Sequence, residues 1–419
     1  MSHRRLDVLA DTHVPAYVVW ELTLRCDHAC THCGSRAGVA RADELTTAEA
    51  LDTVTQLAAM GAREVVLIGG EAYLHDGFLD VVRALASAGV VPTMTTGGRG
   101  ITPALARAMA DAGIAGVSVS IDGLEETHDR MRHARGSFAA GMAALAHLRD
   151  AGIGISSNIN LNRLNQADLE PLYELLREVG IGAWQVQLTA PLGRAADRVH
   201  MILQPWDLLE LVPRIAALKR RAYDDDIVLM PGNNLGYFGP EEGLLRSFEQ
   251  GQRDHFAGCQ AGRFVMGIES HGAVKGCPSL QSRHYVGGNL RQRSLRDIWT
   301  RAPELAFARR RTVEDLWGFC RTCAFAEVCL GGCTFTAHSI LGRPGNNPYC
   351  HYRARTLARQ GKRERLVATD PADGVPFDNG CFDIVVEALD AADPGASVAA
   401  PDLVQISRRP RRMRSLQSE

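Results

Sequence analysis

The sequence predicts an α/β fold, a partial (β/α)6 barrel with a cysteine-rich domain after it. Three observations carry that prediction. An apolar strand followed by an amphipathic helix recurs between residues 17 and 190. Each of those helices closes on a glycine. Ten of the eleven cysteines fall into two clusters, with no cysteine between Cys33 and Cys259.

The first strand is read at residues 17–24, and apolar runs at 65–68, 90–94, 117–121, 153–159 and 184–188 supply five more. The intervening helices end at Met60-Gly61, Ala88-Gly89, Ala112-Gly113, Ala151-Gly152 and Val179-Gly180, where a helix C-terminus takes a left-handed residue. Helix starts agree. Thr46 with Glu49 forms a capping box, and Thr102-Pro103 is a cap followed by proline at the first helical position. This alternation predicts parallel strands with helical crossovers, and six units suit a partial barrel. A doubly wound open sheet satisfies the same pattern. From 191 to 250 the pattern weakens, with a helix at 203–223 and a loop at Pro231-Gly232-Asn233-Asn234. A hairpin is expected at 264–269 and 273–277, turning at Ser270-His271-Gly272. Beyond about 365 the composition shifts to Asp, Ala and Pro; from about 390 to the basic end at 408–414 it reads as a solvated, disordered tail.

The 419 residues carry 46 Lys+Arg against 48 Asp+Glu, a net charge of −2, which excludes a generally basic nucleic-acid binder and a polybasic membrane-surface protein. With 46% hydrophobic residues the chain can bury a large core. No apolar run approaches the roughly 18–20 residues of a spanning helix, and the N-terminus lacks the apolar core of a signal peptide. A cytoplasmic protein with no membrane or nucleic-acid partner is expected. In that setting clustered cysteines point to metal sites or catalysis rather than disulfides.

Cys26-Asp-His-Ala-Cys30-Thr-His-Cys33 follows the first strand. Three thiolates hold three corners of a 4Fe–4S cubane, which normally takes four cysteines, so one iron is left open to an exogenous ligand. A zinc site completed by His28 or His32 is the alternative. This cysteine spacing, on a loop after the first strand of a (β/α)6 pattern, resembles the radical S-adenosylmethionine (SAM) enzymes, whose core is a partial TIM-like barrel. Gly69-Gly70-Glu71 after the second strand resembles that family's second marker, whose backbone groups hold the SAM amino group. Glycines suit it because they let backbone approach a ligand closely. Thr96-Gly97-Gly98 and Ser120-Ile121-Asp122-Gly123 fall at the ends of the third and fourth strands. The resemblance implies that Gly69, Gly70, Glu71, Thr96, Ser120 and Asp122 line the SAM site, with Ser120 near the carboxylate or ribose. Asn160 or Asn162 on the fifth strand joins them. Turn chemistry alone would also place Ser, Asp and Gly at such positions. His32 stands where an aromatic residue is common in the family, and histidine can still stack on adenine. The chemistry implied is one-electron cleavage of SAM to methionine and a 5′-deoxyadenosyl radical, which abstracts a hydrogen from an unactivated carbon; the cofactor supplies that hard step.

The second cluster runs Cys259, Cys277, Cys320-x2-Cys323-x5-Cys329-x3-Cys333 and Cys350. It resembles the SPASM domain with its two auxiliary 4Fe–4S clusters, three clusters in all; zinc knuckles are the alternative. Two fully ligated cubanes need eight thiolates and this region supplies seven. The family's interleaving assigns Cys320, Cys323, Cys329 and Cys350 to an outer cluster and Cys259, Cys277 and Cys333 to an inner one. The inner cluster's remaining iron is then open, or bound by Asp254, His255 or substrate. Cys381 is left over, beside an apolar run at 382–386: a half-buried thiol, a candidate hydrogen-atom donor to a substrate radical, or the missing ligand.

The domains expected are an N-terminal segment 1–16, a radical SAM core 17–200, a helical linker 201–255, a SPASM domain 256–360 and a C-terminal segment 361–419. SPASM-bearing members act mostly on peptides. The resemblance therefore implies an oxidoreductase-type maturase that cross-links, oxidises or epimerises a ribosomally made precursor peptide, with flavodoxin or ferredoxin as electron donor. The segments at 33–38 and 344–350 are similar to a subgroup paired with precursors bearing a Gly-Asp-Leu motif. No separate peptide-recognition domain is expected before the barrel, so leader binding would fall to the SPASM face, the C-terminal segment or another protein. The alternative is a radical SAM enzyme acting on a small molecule such as a tetrapyrrole, sugar or cofactor precursor. A reading from another class is a non-catalytic zinc or electron-transfer protein.

Overall fold

The computed structural model describes residues 13–393. The reading of the tail beyond 393, including the basic end, lies outside the described residues, as does most of the N-terminal segment. Within them, seven parallel strands follow one another in sheet order: β1 (Tyr17–Thr23), β2 (Glu64–Gly69), β3 (Val91–Thr96), β4 (Gly116–Ser120), β5 (Gly154–Leu161), β6 (Ala183–Leu188) and β7 (Val228–Pro231). That monotonic order sets aside the doubly wound sheet, whose strand order reverses at a switch point.

Helices α1 (Thr47–Ala59), α2 (Phe78–Ser87), α3 (Pro103–Asp111), α4 (Glu125–Arg132), α5 (Ser137–Asp150), α6 (Leu169–Val179) and α7 (Leu208–Asp224) form the crossovers. The capping box at Thr46 and the Thr102 cap are both formed, and the five helix-closing glycines have φ from +73° to +93°. Side chains alternate across each strand. Val18, Trp20, Leu22, Val65, Leu67, Val117, Val119, Trp184 and Val186 are buried beneath the helices. The alternate positions, including Thr93, Thr95, Ser118, Ser156 and Gln187, face the barrel lumen and are only half buried.

Three features depart from the sequence reading. The loop read at Pro231 begins one residue late, because Pro231 ends β7, which pairs with β6 from Ala183↔Val228 to Val186↔Pro231. Four residues of strand give too short a period to be seen in sequence. The predicted helix at 203–223 starts at Leu208, after a 3-10 turn at Pro205–Asp207. The expected hairpin forms as β8 (Val265–Ile268) and β9 (Ala273–Lys275), but β8 also pairs in parallel with β1, from Tyr17↔Val265 to Trp20↔Ile268. With β10 (Val286–Asn289) the cysteine-rich region thus extends the barrel sheet to ten strands. Beyond it, β11 (Lys362–Asp370) and β12 (Cys381–Ala388) form a separate antiparallel hairpin that composition did not reveal. No described helix is long and apolar enough to cross a membrane.

Candidate iron–sulfur and SAM site

The first three cysteines lie on the loop that leaves β1 at the barrel mouth. Glu44 pins the start of this loop, accepting from Thr23 Oγ1 and from Leu24 N, each at 2.7 Å. The end of β2 is laid against the same loop, with Gly70 N donating to Thr23 O at 2.7 Å and Glu71 N to Arg25 O at 2.8 Å. A Cβ on Gly69 would stand 2.2 Å from Thr23 O; one on Gly70 would stand 2.2 Å from Arg25 O and 2.7 Å from Cys26 Cβ. The close neighbour that demands glycine here is therefore the cysteine loop's own backbone, not only a ligand as the sequence suggested.

Glu71 is buried, with its carboxylate accepting from Gly97 N at 2.8 Å and from the Thr96 hydroxyl. Burial raises its pKa to about 7. One of its oxygens, an Asp27 oxygen and Cys26 Sγ all lie within 4.8 Å of one another. Thr96 Oγ1 also accepts from Gly98 N at 2.9 Å, so this hydroxyl braces Glu71 and the following turn.

Asp122 is fully buried at the centre of a charged group. Arg132 Nη2 lies 2.7 Å from Asp122 Oδ2, and His32 Nε2 lies 3.2 Å from the same oxygen. Burial disfavours the carboxylate, but Arg132 and His32 outweigh it and hold the group well below the usual range. The other oxygen accepts from Asn160 N at 2.9 Å. His32 is thus tied to Asp122. Arg132 also reaches Cys30 Sγ at 3.6 Å and donates to Ser120 O at 3.3 Å. Sequence reading missed this arginine: it sits in the last turn of α4, a hundred residues from the thiol it meets, and no spacing marks it. Asn162 is fully buried and spent on shape, donating to Asn160 O and Thr189 Oγ1 at 3.1 Å and accepting from Leu164 N at 2.9 Å.

Buried polar atoms without a hydrogen-bond partner gather here. Both ring nitrogens of His28, Nδ1 of His32, Oδ1 of Asp27, Oδ1 of Asn158 and Nε of Arg132 have none, although His28 Nε2 and Asp27 Oδ1 face each other at 3.7 Å. An unpaired buried polar group costs roughly 1–3 kcal/mol, so such a concentration marks a surface completed by a polar ligand. An ammonium, a carboxylate, ribose hydroxyls and an adenine edge supply donors and acceptors of that kind, so the residues present fit SAM. His28 is kept neutral, its pKa lowered to about 4 by burial and by Arg132, so one ring nitrogen is an acceptor.

The remaining cluster cysteines gather as two sets. Cys320, Cys323, Cys329 and Cys350 line a shallow hollow with Phe238, Phe319, Phe325 and Tyr352. Phe238 stacks on Phe325 at 4.4 Å, and Tyr352 meets Phe325 edge-on at 4.9 Å. Four thiols around a hollow walled by aromatic rings fit a fully ligated cubane. Cys259, Cys277 and Cys333 form the other set, beside Ala261, Leu280, Tyr285, Phe307 and Phe335. Burial, then the neighbouring thiols, pushes Cys277 up to about 12 and Cys333 to about 11. These thiols would release their protons on binding iron. Tyr237 touches both sets: its hydroxyl accepts from Cys333 N at 3.1 Å, and its carbonyl accepts from Cys350 Sγ at 3.7 Å.

His255 is exposed and lies 6.4 Å from the ring of Phe238, on the wall of the four-cysteine hollow. Asp254 accepts from His255 N at 2.8 Å. Beside the three-cysteine set, the buried hydroxyl of Thr336 faces the Cys333 thiol. Cys381 opens β12 against Gly342, and the charges acting on its thiol are Asp370 and Asp383.

Comparison with known proteins agrees with this geometry. Residues 20–176 match the radical SAM superfamily, and residues 259–324 match the SPASM iron–sulfur cluster-binding domain. The AdoMet-dependent heme synthase of Methanosarcina barkeri is 30% identical over 356 residues, which is 83% of this chain and 99% of that protein. The mycofactocin maturase MftC of Mycobacterium ulcerans is 29% identical over 83% of this chain and 91% of its own. Streptococcus suis SuiB bound to its precursor peptide SuiA shares the fold, with a TM-score of 0.62 at 16% identity over 80% of this chain and 75% of SuiB. A non-catalytic zinc or electron-transfer protein does not fit these matches. The chain belongs to the radical SAM superfamily and is an enzyme of that family with a C-terminal iron–sulfur domain of the SPASM type.

Proposed function

We propose that this enzyme uses SAM to modify a ribosomally made precursor peptide. The observation that carries the reading is the chemistry of the barrel lumen. On β1–β7 the inward positions include Thr93, Thr95, Ser118, Ser156, Asn158, Gln185 and Gln187, with Glu21 and Glu64 the only charged residues and no Lys or Arg. Two arginines beside the mouth are occupied by carboxylates: Arg132 by Asp122 at 2.7 Å, and Arg41 by Glu21 and Glu269 at 3.2 and 3.1 Å. Hydroxyls and carboxamides suit the N–H and C=O groups of a peptide. A tetrapyrrole presents several carboxylates, which call for arginine or lysine. The resemblance to MftC and to peptide-bound SuiB supports the same choice.

In this reading Cys26, Cys30 and Cys33 hold the SAM-binding cluster. Cys320, Cys323, Cys329 and Cys350 hold the outer auxiliary cluster, and Cys259, Cys277 and Cys333 hold the inner one with one iron open. Residues 17–200 form the core and 256–360 the auxiliary domain. A flavodoxin or ferredoxin delivers electrons in the cytoplasm. When bound, SAM and its cluster supply the radical. The chain's own part is to brace Glu71 through Thr96, to fix Asp122 and Arg132 beside Cys30, and to offer a lumen that orders amide groups away from water.

A second reading, a small-molecule enzyme, is favoured by the heme synthase, of which this chain covers 99%. One experiment separates the two. Anaerobically reconstituted enzyme, with about twelve irons per chain as three cubanes require, is given SAM, dithionite and either a candidate precursor peptide, sought among short reading frames beside the gene, or a polycarboxylate tetrapyrrole. Stimulated 5′-deoxyadenosine with a mass change in the peptide is expected. Stimulation by the tetrapyrrole alone would overturn the proposal.

A further inference from the structure

The segment between β11 and β12 crosses the rim of the barrel mouth, and its contacts are specific. Asp378 folds the turn from within, its Oδ2 accepting from Gly374 N at 2.5 Å and Val375 N at 3.1 Å. The same carboxylate receives a two-pronged grip from Arg36, three residues after Cys33: Nε to Oδ1 at 2.9 Å and Nη2 to Oδ2 at 3.1 Å. Arg36 also clamps Asp197, at 2.7 and 2.8 Å, and donates to Val375 O and Gly193 O at 3.2 and 3.0 Å. Main chain adds to this. Phe377 N donates to Gly34 O at 3.1 Å, Gly193 N donates to Asp378 O at 2.8 Å, and Leu192 bridges Asn379.

On its other side the segment meets residues that flank two of the inner auxiliary cysteines. Lys275 Nζ stands 3.8 Å from the centre of the Phe377 ring, and Lys275 is fully buried two residues before Cys277. Its charge is anchored by Glu269 at 2.7 Å. Asn379 Nδ2 reaches His338 O at 3.5 Å, on the helix Thr334–Leu341 that begins directly after Cys333. One short stretch therefore grips the loop of the first cysteine set and both flanks of the three-cysteine set.

We infer that residues 373–379 are a strap that fixes the SAM-cluster loop relative to the inner auxiliary cysteines, with Asp378 and Phe377 as its positioning residues. The arrangement rests on family membership and does not depend on which substrate the lumen takes. It also assigns a task to the Cys33-Gly34-Ser35-Arg36 segment that the cysteine spacing leaves unexplained: Gly34 supplies the carbonyl and Arg36 the fork. A bidentate arginine–carboxylate pair is stiff as well as strong, which is what a spacing device needs.

The test compares wild type with Asp378→Asn, which keeps size but loses the charge, and with Asp378→Glu as a partial rescue. Hydrogen exchange of the backbone amides at 33–37 is expected to rise about tenfold in Asp378→Asn, with α6 unchanged. In the reconstituted, reduced protein, iron content is expected to stay at the wild-type value. The magnetic coupling between the SAM cluster and the inner cluster seen by paramagnetic resonance is expected to change, and deoxyadenosine released without substrate to rise several-fold. Wild-type exchange at 33–37 together with an unaltered spectrum would overturn the inference. A uniform rise in exchange across the chain would also overturn it, because the segment would then add only bulk stability. Phe377→Leu removes the contact with Lys275 while leaving the Arg36 grip; if Asp378→Asn does not fold, the change in coupling is read from this variant and its absence counts against the strap.

Discussion

At the barrel mouth the first cysteines sit among charge: Arg132 3.6 Å from Cys30, the Asp122 carboxylate behind it, and His28 with neither ring nitrogen hydrogen-bonded. Around Cys320, Cys323, Cys329 and Cys350 the wall is instead Phe238, Phe319, Phe325 and Tyr352, and the nearby Arg353 is already closed by Glu364 at 2.6 Å. The two regions carry the same ligand atoms and opposite surroundings. A site that must take up a zwitterionic cosubstrate keeps polar groups unsatisfied until the cosubstrate arrives, at a standing cost in stability. A site whose ligands are all protein has no such groups to keep, and an apolar wall excludes water and sets the dielectric around the metal. In the proposed assignment, the difference separates the place where chemistry starts from the place where an electron is held.

The largest effect that would break this contrast is loss of deoxyadenosine itself. Cys30→Ala is expected to bring it below detection under dithionite, whereas Cys323→Ala keeps cleavage and loses modified product. Full product from Cys323→Ala would make the two regions independent. Next comes Asp122→Asn, which leaves Arg132 as an uncompensated buried charge; about 3–5 kcal/mol of stability should go, read as a lower denaturation midpoint. A loss below about 1 kcal/mol, the range of surface pairs, would mean the cluster of charges is solvated. Phe325→Ala opens the aromatic wall from the Phe238 side, and the outer cluster should bleach in air several-fold faster while cleavage of SAM in its first minutes is unchanged.

What could be read in the sequence was short-range or repeated. The capping box spans three residues, glycine closes five of the six crossovers, and the cysteine spacings are local in each cluster. Strand β7 was hidden by its brevity, and the parallel pairing of β8 with β1 by the distance between Tyr17 and Val265, because no local pattern reports which edge a strand will join. The same holds for the site. Gly69-Gly70-Glu71 was legible as a motif, yet its immediate partners, Thr23 O and Arg25 O, are visible only in three dimensions. Arg36 and Asp378 are 342 residues apart, and in sequence nothing sets either apart from a surface charge, although Asp378 is buried.

The smallest effect sharpens the contrast from the outside. Thr46 caps α1 next to the cysteine loop, with Glu49 N donating back to its hydroxyl at 3.3 Å. Glu49 also takes Arg291 from the auxiliary domain, at 2.6 and 2.9 Å, and Arg291 donates to the carbonyl of Glu44, whose side chain pins the start of the cysteine loop. Removing the cap with Thr46→Ala should cost about 1 kcal/mol. Since Glu44 keeps its grip on Thr23 and Leu24 without the cap, deoxyadenosine formation should stay at the wild-type rate. If that rate falls with the cap, the start of α1 belongs to the barrel mouth's positioning apparatus, and the boundary between the charged site and the scaffold around it must be drawn one helix further out.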